Sequence, residues 1–257
     1  MKRAFEIFGL PDFCRAYVSL RSGGNSTGNF DSLNMSFKND DYQAVLGNRI
    51  LFSKEIEIPV RDFVFCKQVH SNNALLVREK DRGAGSISIN TAIPDTDALY
   101  TTIKGCALSV LIADCAPVFF ACRRTKGIAI AHCGRAGSTN GLIGNVIDHM
   151  KADFGSVPKD IFAVIGPHIS AKNYPIPENS AKKIISDFSD TSGIIKSDDI
   201  YKLDLSVRIE SELLKAGLKS TAISKNIRCT FDEDETFFSE RRQGAPCGRM
   251  IATILST

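Results

Sequence analysis

A chain of 257 residues, 43% hydrophobic and 24% charged, is long enough to bury a sizeable core, as one large domain or two small ones. Its formal charge of +3 is dispersed, with no block of like charges, which excludes a basic nucleic-acid partner surface and an electrostatic tail. The start, "MKRAFEIFGLPDF", meets Glu6, Gly9 and Pro11 before any apolar run develops, and Asp114 and Pro117 interrupt the long apolar run 106–122, so the expectation is a cytoplasmic chain with neither secretory signal nor membrane span.

Residues 21–34, "RSGGNSTGNFDSLN", are too rich in Gly, Ser and Asn for a regular element and read as a loop. Residues 40–56 carry apolar side chains at helical spacing, with Asp40 and Asp41 at the positive end of the dipole. Strands are predicted at 62–70, ending on His70, and at 74–79; turn residues surround Pro94. Residues 105–117 read as a buried strand ending at Asp114 and Cys115, because Pro117 disfavours helix before it. Strands 117–123 and 127–133 follow, separated by a charged turn, and 138–154 has helical periodicity with Ser138 or Thr139 as N-cap.

The second half continues with a strand at 160–167, an irregular segment at 168–180 and a helix at 181–189. An amphipathic helix at 204–218 stops at Gly217, and short strands at 223–230, 237–242 and 249–255 close the chain. Strands and helices mix without strict βαβ alternation and without a linker. The expected fold class is therefore α/β of the α+β kind, with mixed β-sheets flanked by helices in a single compact domain, residues 1–257.

Eight cysteines form no C-x-x-C pair, and most read as small buried hydrophobes in a reducing compartment. Of the four histidines, His149 lies near a helix end and His168 in a loop, whereas His70 and His132 each stand where an apolar strand breaks into a polar turn. Cys115 occupies the same kind of place. Two imidazoles and a thiolate suit zinc and would leave a fourth position open, as in catalytic sites. Spacing alone leaves other readings open. Hydrogen-bonded strand ends need no metal, Cys115 and His132 could pair as nucleophile and base, and the Gly134-Arg135-Ala136-Gly137 turn before a helix resembles an anion site. Cys133 cannot cooperate easily with His132, because neighbours on a strand point to opposite faces.

The segments "RSGGNSTGNFDSLN", "KQVHS", "TDALYTT", "IADCAPV", "AHCGRAG", "IGPHIS" and "CTFDEDETFFSERRQGAPCGRM" occur in an order that resembles the bacterial laccase-domain family, also described as multicopper polyphenol oxidoreductases or peptidoglycan editing factors. Members are described as purine nucleoside phosphorylases with adenosine deaminase activity. The resemblance implies zinc ligands His70, Cys115 and His132, small-molecule nucleoside and phosphate as partners, and a monomer or homodimer. Three departures stand out. Arg135 and Ala136 replace the family's Trp-Arg, Asn173-Tyr174-Pro175-Ile176 replaces C-Y-E-V, and Glu240 replaces an aromatic residue.

For deamination, zinc would lower the pKa of a bound water that attacks purine C6, with Asp114 as candidate catalytic proton carrier beside Cys115. For phosphorolysis, the guanidinium forks of Arg21, Arg241 and Arg242 are the candidate phosphate clamps. Asn34 and Gln68 are candidates for bonding ribose or base, and Gly23 and Gly24 would permit close backbone approach. The alternatives are copper-dependent phenol oxidation, a cysteine hydrolase acting on peptidoglycan precursors through Cys115, and a binding module without turnover.

Overall fold

Alternation along the apolar strands sorts their side chains between two faces, and this sorting builds the layers. The computed structural model describes residues 2–188 and 190–257. Numbered in chain order, the strands of a six-stranded sheet run β13 (Ile223–Lys225), β9 (Ile161–Ile165), β7 (Ala116–Cys122), β8 (Ile128–Cys133), β5 (Ala98–Thr101) and β4 (Ala74–Leu76). A five-stranded sheet runs β1 (Ala4–Glu6), β2 (Cys14–Ser19), β14 (Met250–Ser256), β6 (Ala107–Ile112) and β3 (Phe63–Phe65). A third sheet holds β10 (Pro175–Ile176), β12 (Ile200–Leu203) and β11 (Ile194–Ser197). Pairs β3–β6, β4–β5 and β9–β13 are parallel and the others antiparallel, so the sheets are mixed, as expected.

The two large sheets stack face to face. Phe119 and Ala121 of β7 and Ile128 and Ile130 of β8 meet Val110 and Ile112 of β6 and Ala252 and Ile254 of β14 in one buried cluster. Their strand neighbours Val118, Phe120, Ala129 and Ala131 point the other way, onto α2 (Leu142–Phe154), α3 (Glu178–Phe188) and α4 (Leu205–Lys215). On the outer face of the five-stranded sheet, Phe52 of α1 (Tyr42–Glu55) packs with Phe63, Phe65 and Ile251. The result is four layers: helix, sheet, sheet, helices. Among the described residues, no helix is long and apolar enough to cross a membrane.

Several local expectations change. Helix α1 starts where predicted, with the Asp41 carboxylate accepting from the Ala44 N–H at 2.8 Å. Helix α2 instead starts at Leu142 behind Gly141, at φ +87°, because the Ser138 and Thr139 hydroxyls donate to the Arg135 carbonyl and shape a turn. The predicted strand 237–242 is replaced by the short helix α5 (Glu240–Gln243), whose Ser239 hydroxyl accepts from the Arg242 N–H. The sequence pattern does not predict strands β1, β2, β5, β10, β11 and β12, of which β10 falls in the segment 168–180 expected to be irregular. The predicted helix 181–189 is found as α3, except that Ser189 lies outside the described residues.

Candidate metal centre

The chain passes between the two large sheets twice near one end of the stack. Residues 66–73 lead from β3 to β4 and carry His70, and residues 113–115 lead from β6 to β7 and carry Cys115. His132 is the penultimate residue of β8 and shares the inter-sheet face with Ile128 and Ile130. These three separated residues therefore meet, with one donor atom from each lying within 4.8 Å of the others. The rings of His70 and His132 sit 4.9 Å apart, edge to face. Cys133 points into the helix-side core, as strand alternation requires.

Both crossings bend sharply. His70 has φ +59° and Asp114 φ +95°, left-handed conformations uncommon for residues with a Cβ and often found at functional sites. Gly134 has a steric reason to be glycine, since a Cβ there would lie 2.5 Å from Cys115 Sγ. The "HCG" tripeptide thus makes room for a thiol that is distant in sequence.

The sequence reading missed Asp97, the buried residue just before β5. Its Oδ1 lies 3.0 Å from His132 Nδ1, while Oδ2 accepts from the N–H groups of Val69 and Ser71 and from the Ser71 hydroxyl, at 2.7–3.1 Å. One carboxylate therefore orients His132 and holds the turn that presents His70. A proton on Nδ1 facing this acceptor leaves Nε2 as the ligand atom, the arrangement common behind metal-bound histidines. Burial opposes the charge on Asp97, but the bonds from His132, Ser71 and Val69 outweigh it and hold the carboxyl at about 2. Burial lowers the pKa of His132 against the opposing pull of Asp97, which favours the neutral imidazole a metal needs. Burial and then Asp114 push the Cys115 thiol up to about 12, unfavourable for a metal-free thiolate nucleophile near neutrality.

The three residues line a cavity of about 390 Å³ together with Ser36, Lys38, Lys67, Gln68, Glu240 and Arg249. Of the other sequence candidates, Gln68 lines this cavity, but its amide is paired with the backbone of Leu111, both bonds 2.8 Å. Asn34 is buried and bonded to Ser36, Asp40 and the Arg249 N–H. Asp114 accepts from the Thr230 hydroxyl and the Arg241 N–H, each at 2.7 Å, and braces the turn that carries Cys115. Arg21 donates to the carbonyls of Asp31 and Asp234, Arg241 to that of Pro175, and Arg242 to those of Thr230, Phe231 and Phe237. The structure thus brings His70, Cys115, His132 and Gln68 to one cavity, and its cations are Lys38, Lys67 and Arg249.

Gly24 approaches its own loop, since a Cβ there would meet Ser32 and Leu33. Arg135 lines a separate cavity of about 380 Å³ with Asn140, Ser180 and Lys183, and it donates to the Ser180 hydroxyl at 2.7 Å. His149 stacks on Tyr100, and His168 bonds through Nδ1 to the Gly166 carbonyl.

Residues 15–257 match the family model described as multi-copper polyphenol oxidoreductase laccase. A purine nucleoside phosphorylase of Geobacillus stearothermophilus is 33% identical over 252 residues, spanning 96% of this chain and 92% of that protein. One from Corynebacterium glutamicum is 32% identical over 93% of each chain. The crystal structure of the Geobacillus stearothermophilus protein YlmD superposes with a TM-score of 0.91 at 30% identity, covering 95% of this chain and 92% of that one. A Bacillus licheniformis hypothetical protein, YfiH, gives the same TM-score and identity over 95% of this chain and 93% of its own. With its match spanning nearly the whole length, the chain belongs to the multi-copper polyphenol oxidoreductase laccase family.

Proposed function

We propose that the cavity is the active site of a zinc-dependent enzyme that cleaves purine nucleosides by phosphorolysis and deaminates adenosine. The observation that carries this reading is the convergence of His70, Cys115 and His132 at one end of the sheet stack, with Asp97 fixing both histidine segments. The names of the relatives supply the substrate class. The donor set fits zinc: two imidazole nitrogens and a sulfur, one imidazole already oriented by a carboxylate. When bound, zinc supplies Lewis-acid polarisation and a lowered pKa for coordinated water.

The chain's own residues do the rest. Lys38 and Lys67 line the cavity, and neither ammonium has a partner among the described residues, so both are available to an incoming phosphate. Arg21, Arg241 and Arg242 hold loop carbonyls and act as positioning residues. Asp114 positions Cys115 rather than carrying a proton, because both its oxygens already accept hydrogen bonds.

A His₂Cys donor set also accepts copper, so metal identity is the first measurement. Metal analysis is expected to give about one zinc per chain, lost in Cys115→Ala, and base release from inosine is expected to require phosphate. Zinc retained by Cys115→Ala would overturn the ligand assignment. Copper with oxygen-dependent turnover of phenols would overturn the reaction in favour of polyphenol oxidation.

A further inference from the structure

Glu240 departs from the family pattern that the sequence resembles, and the structure puts it on the wall of the metal cavity. Among the described residues it is the cavity's one lining carboxylate, since Asp97 and Asp114 do not line it and direct both their oxygens to other partners. Its partner is Arg249, another lining residue. Arg249 is itself anchored, donating through Nη1 to the carbonyls of Cys247 and Gly248, while Nη2 donates to Glu240 Oε2. This pairing occupies Oε2, and Oε1 has no partner among the described residues.

A carboxylate acceptor in this cavity is matched by one part of a nucleoside. In phosphorolysis the C1′–N9 bond breaks with its electron pair leaving on the purine. A phosphate oxygen supplies the pair for the new C1′–O bond, and the proton of hydrogen phosphate ends on the base. The ribose between them gains positive charge, and its hydroxyls are hydrogen-bond donors whose bonds strengthen as that charge develops. We propose that Glu240 is the ribose-facing group of this site, with Oε1 accepting from the 2′-hydroxyl and the negative charge stabilising the cationic sugar in the transition state. The two roles fall to different residues, because the same charge that favours the sugar repels phosphate, which is left to Lys38 and Lys67.

This inference rests on the phosphorolytic reading, and its test keeps the two apart. Zinc-loaded wild type, Glu240→Gln and Glu240→Asp are assayed with inosine and 2′-deoxyinosine, alongside calorimetric binding of each nucleoside without phosphate. The glutamine preserves an acceptor for Arg249 but removes the charge. It is expected to lower kcat on inosine by roughly 10- to 100-fold with phosphate KM unchanged or lowered, the loss being smaller on 2′-deoxyinosine and partly restored in Glu240→Asp. Wild-type binding is expected to favour inosine over its deoxy analogue, with the preference shrinking in Glu240→Gln. An active wild type whose Glu240→Gln variant keeps full kcat, or loses equally on both substrates, overturns the role of Glu240 alone. A zinc-loaded wild type that releases no base from either nucleoside overturns the phosphorolytic reading and this assignment with it.

Discussion

Asp97→Asn is expected to weaken metal binding by roughly 10- to 100-fold, although residue 97 touches no metal. The carboxylate accepts at both oxygens, from His132 on one side and from the Val69–Ser71 turn on the other. An amide has one acceptor oxygen and one donor nitrogen, so it can satisfy either the imidazole or the turn. If the nitrogen faces His132, the ring is driven to the other tautomer and Nε2 carries the proton. If it faces residues 69–71, three donors converge on another donor and the His70 turn loses its anchor. Competition against a chromogenic chelator reads the affinity, and circular dichroism confirms that the variant folds. Unchanged affinity in a folded variant would remove Asp97 from the site.

Arg208→Met is expected to destabilise the protein by roughly 3–5 kcal/mol, a fall in Tm on the order of 10 °C. Arg208 has no solvent exposure, and α4 carries it into the core beside the loop that follows His132. Its Nε donates to the Ser138 carbonyl at 3.0 Å, and its two terminal nitrogens reach Asp190 and Glu212, each at 2.7 Å. Methionine fills the volume but leaves the Ser138 carbonyl without this donor and weakens the neutralisation of two carboxylates, although Lys215 still reaches both. Burial acts to raise the Asp190 carboxyl, but bonds from Lys215, Ser192 and Ser211 outweigh it and hold it well below its ordinary 3.8. A depressed folded-state pKa gives stability that is complete above the unfolded value and is lost as pH falls below it. The stability contributed by the Asp190 carboxylate is therefore expected to be full at neutral pH and to be lost below about pH 4. Thermal melts of wild type and Asp190→Asn across that range check this, and an equal gap at pH 7 and pH 3 would assign the stabilisation to packing.

Much of this was readable from residues because strands announce themselves by alternation. The run 127–133 is apolar apart from His132, and period two alone assigns His132 to one face and Cys133 to the other, with which the structure agrees. His70, Cys115 and His132 were legible as strand ends, and the two sheet crossings supply the reason they converge. Asp97 is not, although it sits in "TDALYTT", because its importance lies in a contact between segments 26–35 residues apart in sequence. A signal is present: an acidic residue directly before the apolar run 98–100 needs buried partners. Arg21, Arg241 and Arg242 read as phosphate clamps by residue type, but guanidinium groups are equally suited to collecting loop carbonyls. Lys38 and Lys67 carry no local pattern that separates them from ordinary surface lysines. Aromatic residues made 237–242 look like a strand, and the Ser239 cap turned it into a helix. Strand β1 leaves no mark in the sequence because three residues are too few to show a period.

The two sheet crossings also bear on mechanical integrity. His70 and Cys115 belong to separate connections between the stacked sheets, and His132 belongs to the six-stranded sheet itself. An ion shared by all three would act as a clip across the open end of the sandwich, restraining three stretches that otherwise depend on packing and on Asp97. Because binding to the folded state adds RT ln(1 + [L]/Kd) to its stability, the melting point would then follow free metal concentration. The same contacts that prepare the chemistry would make metal supply a determinant of how long the folded chain survives.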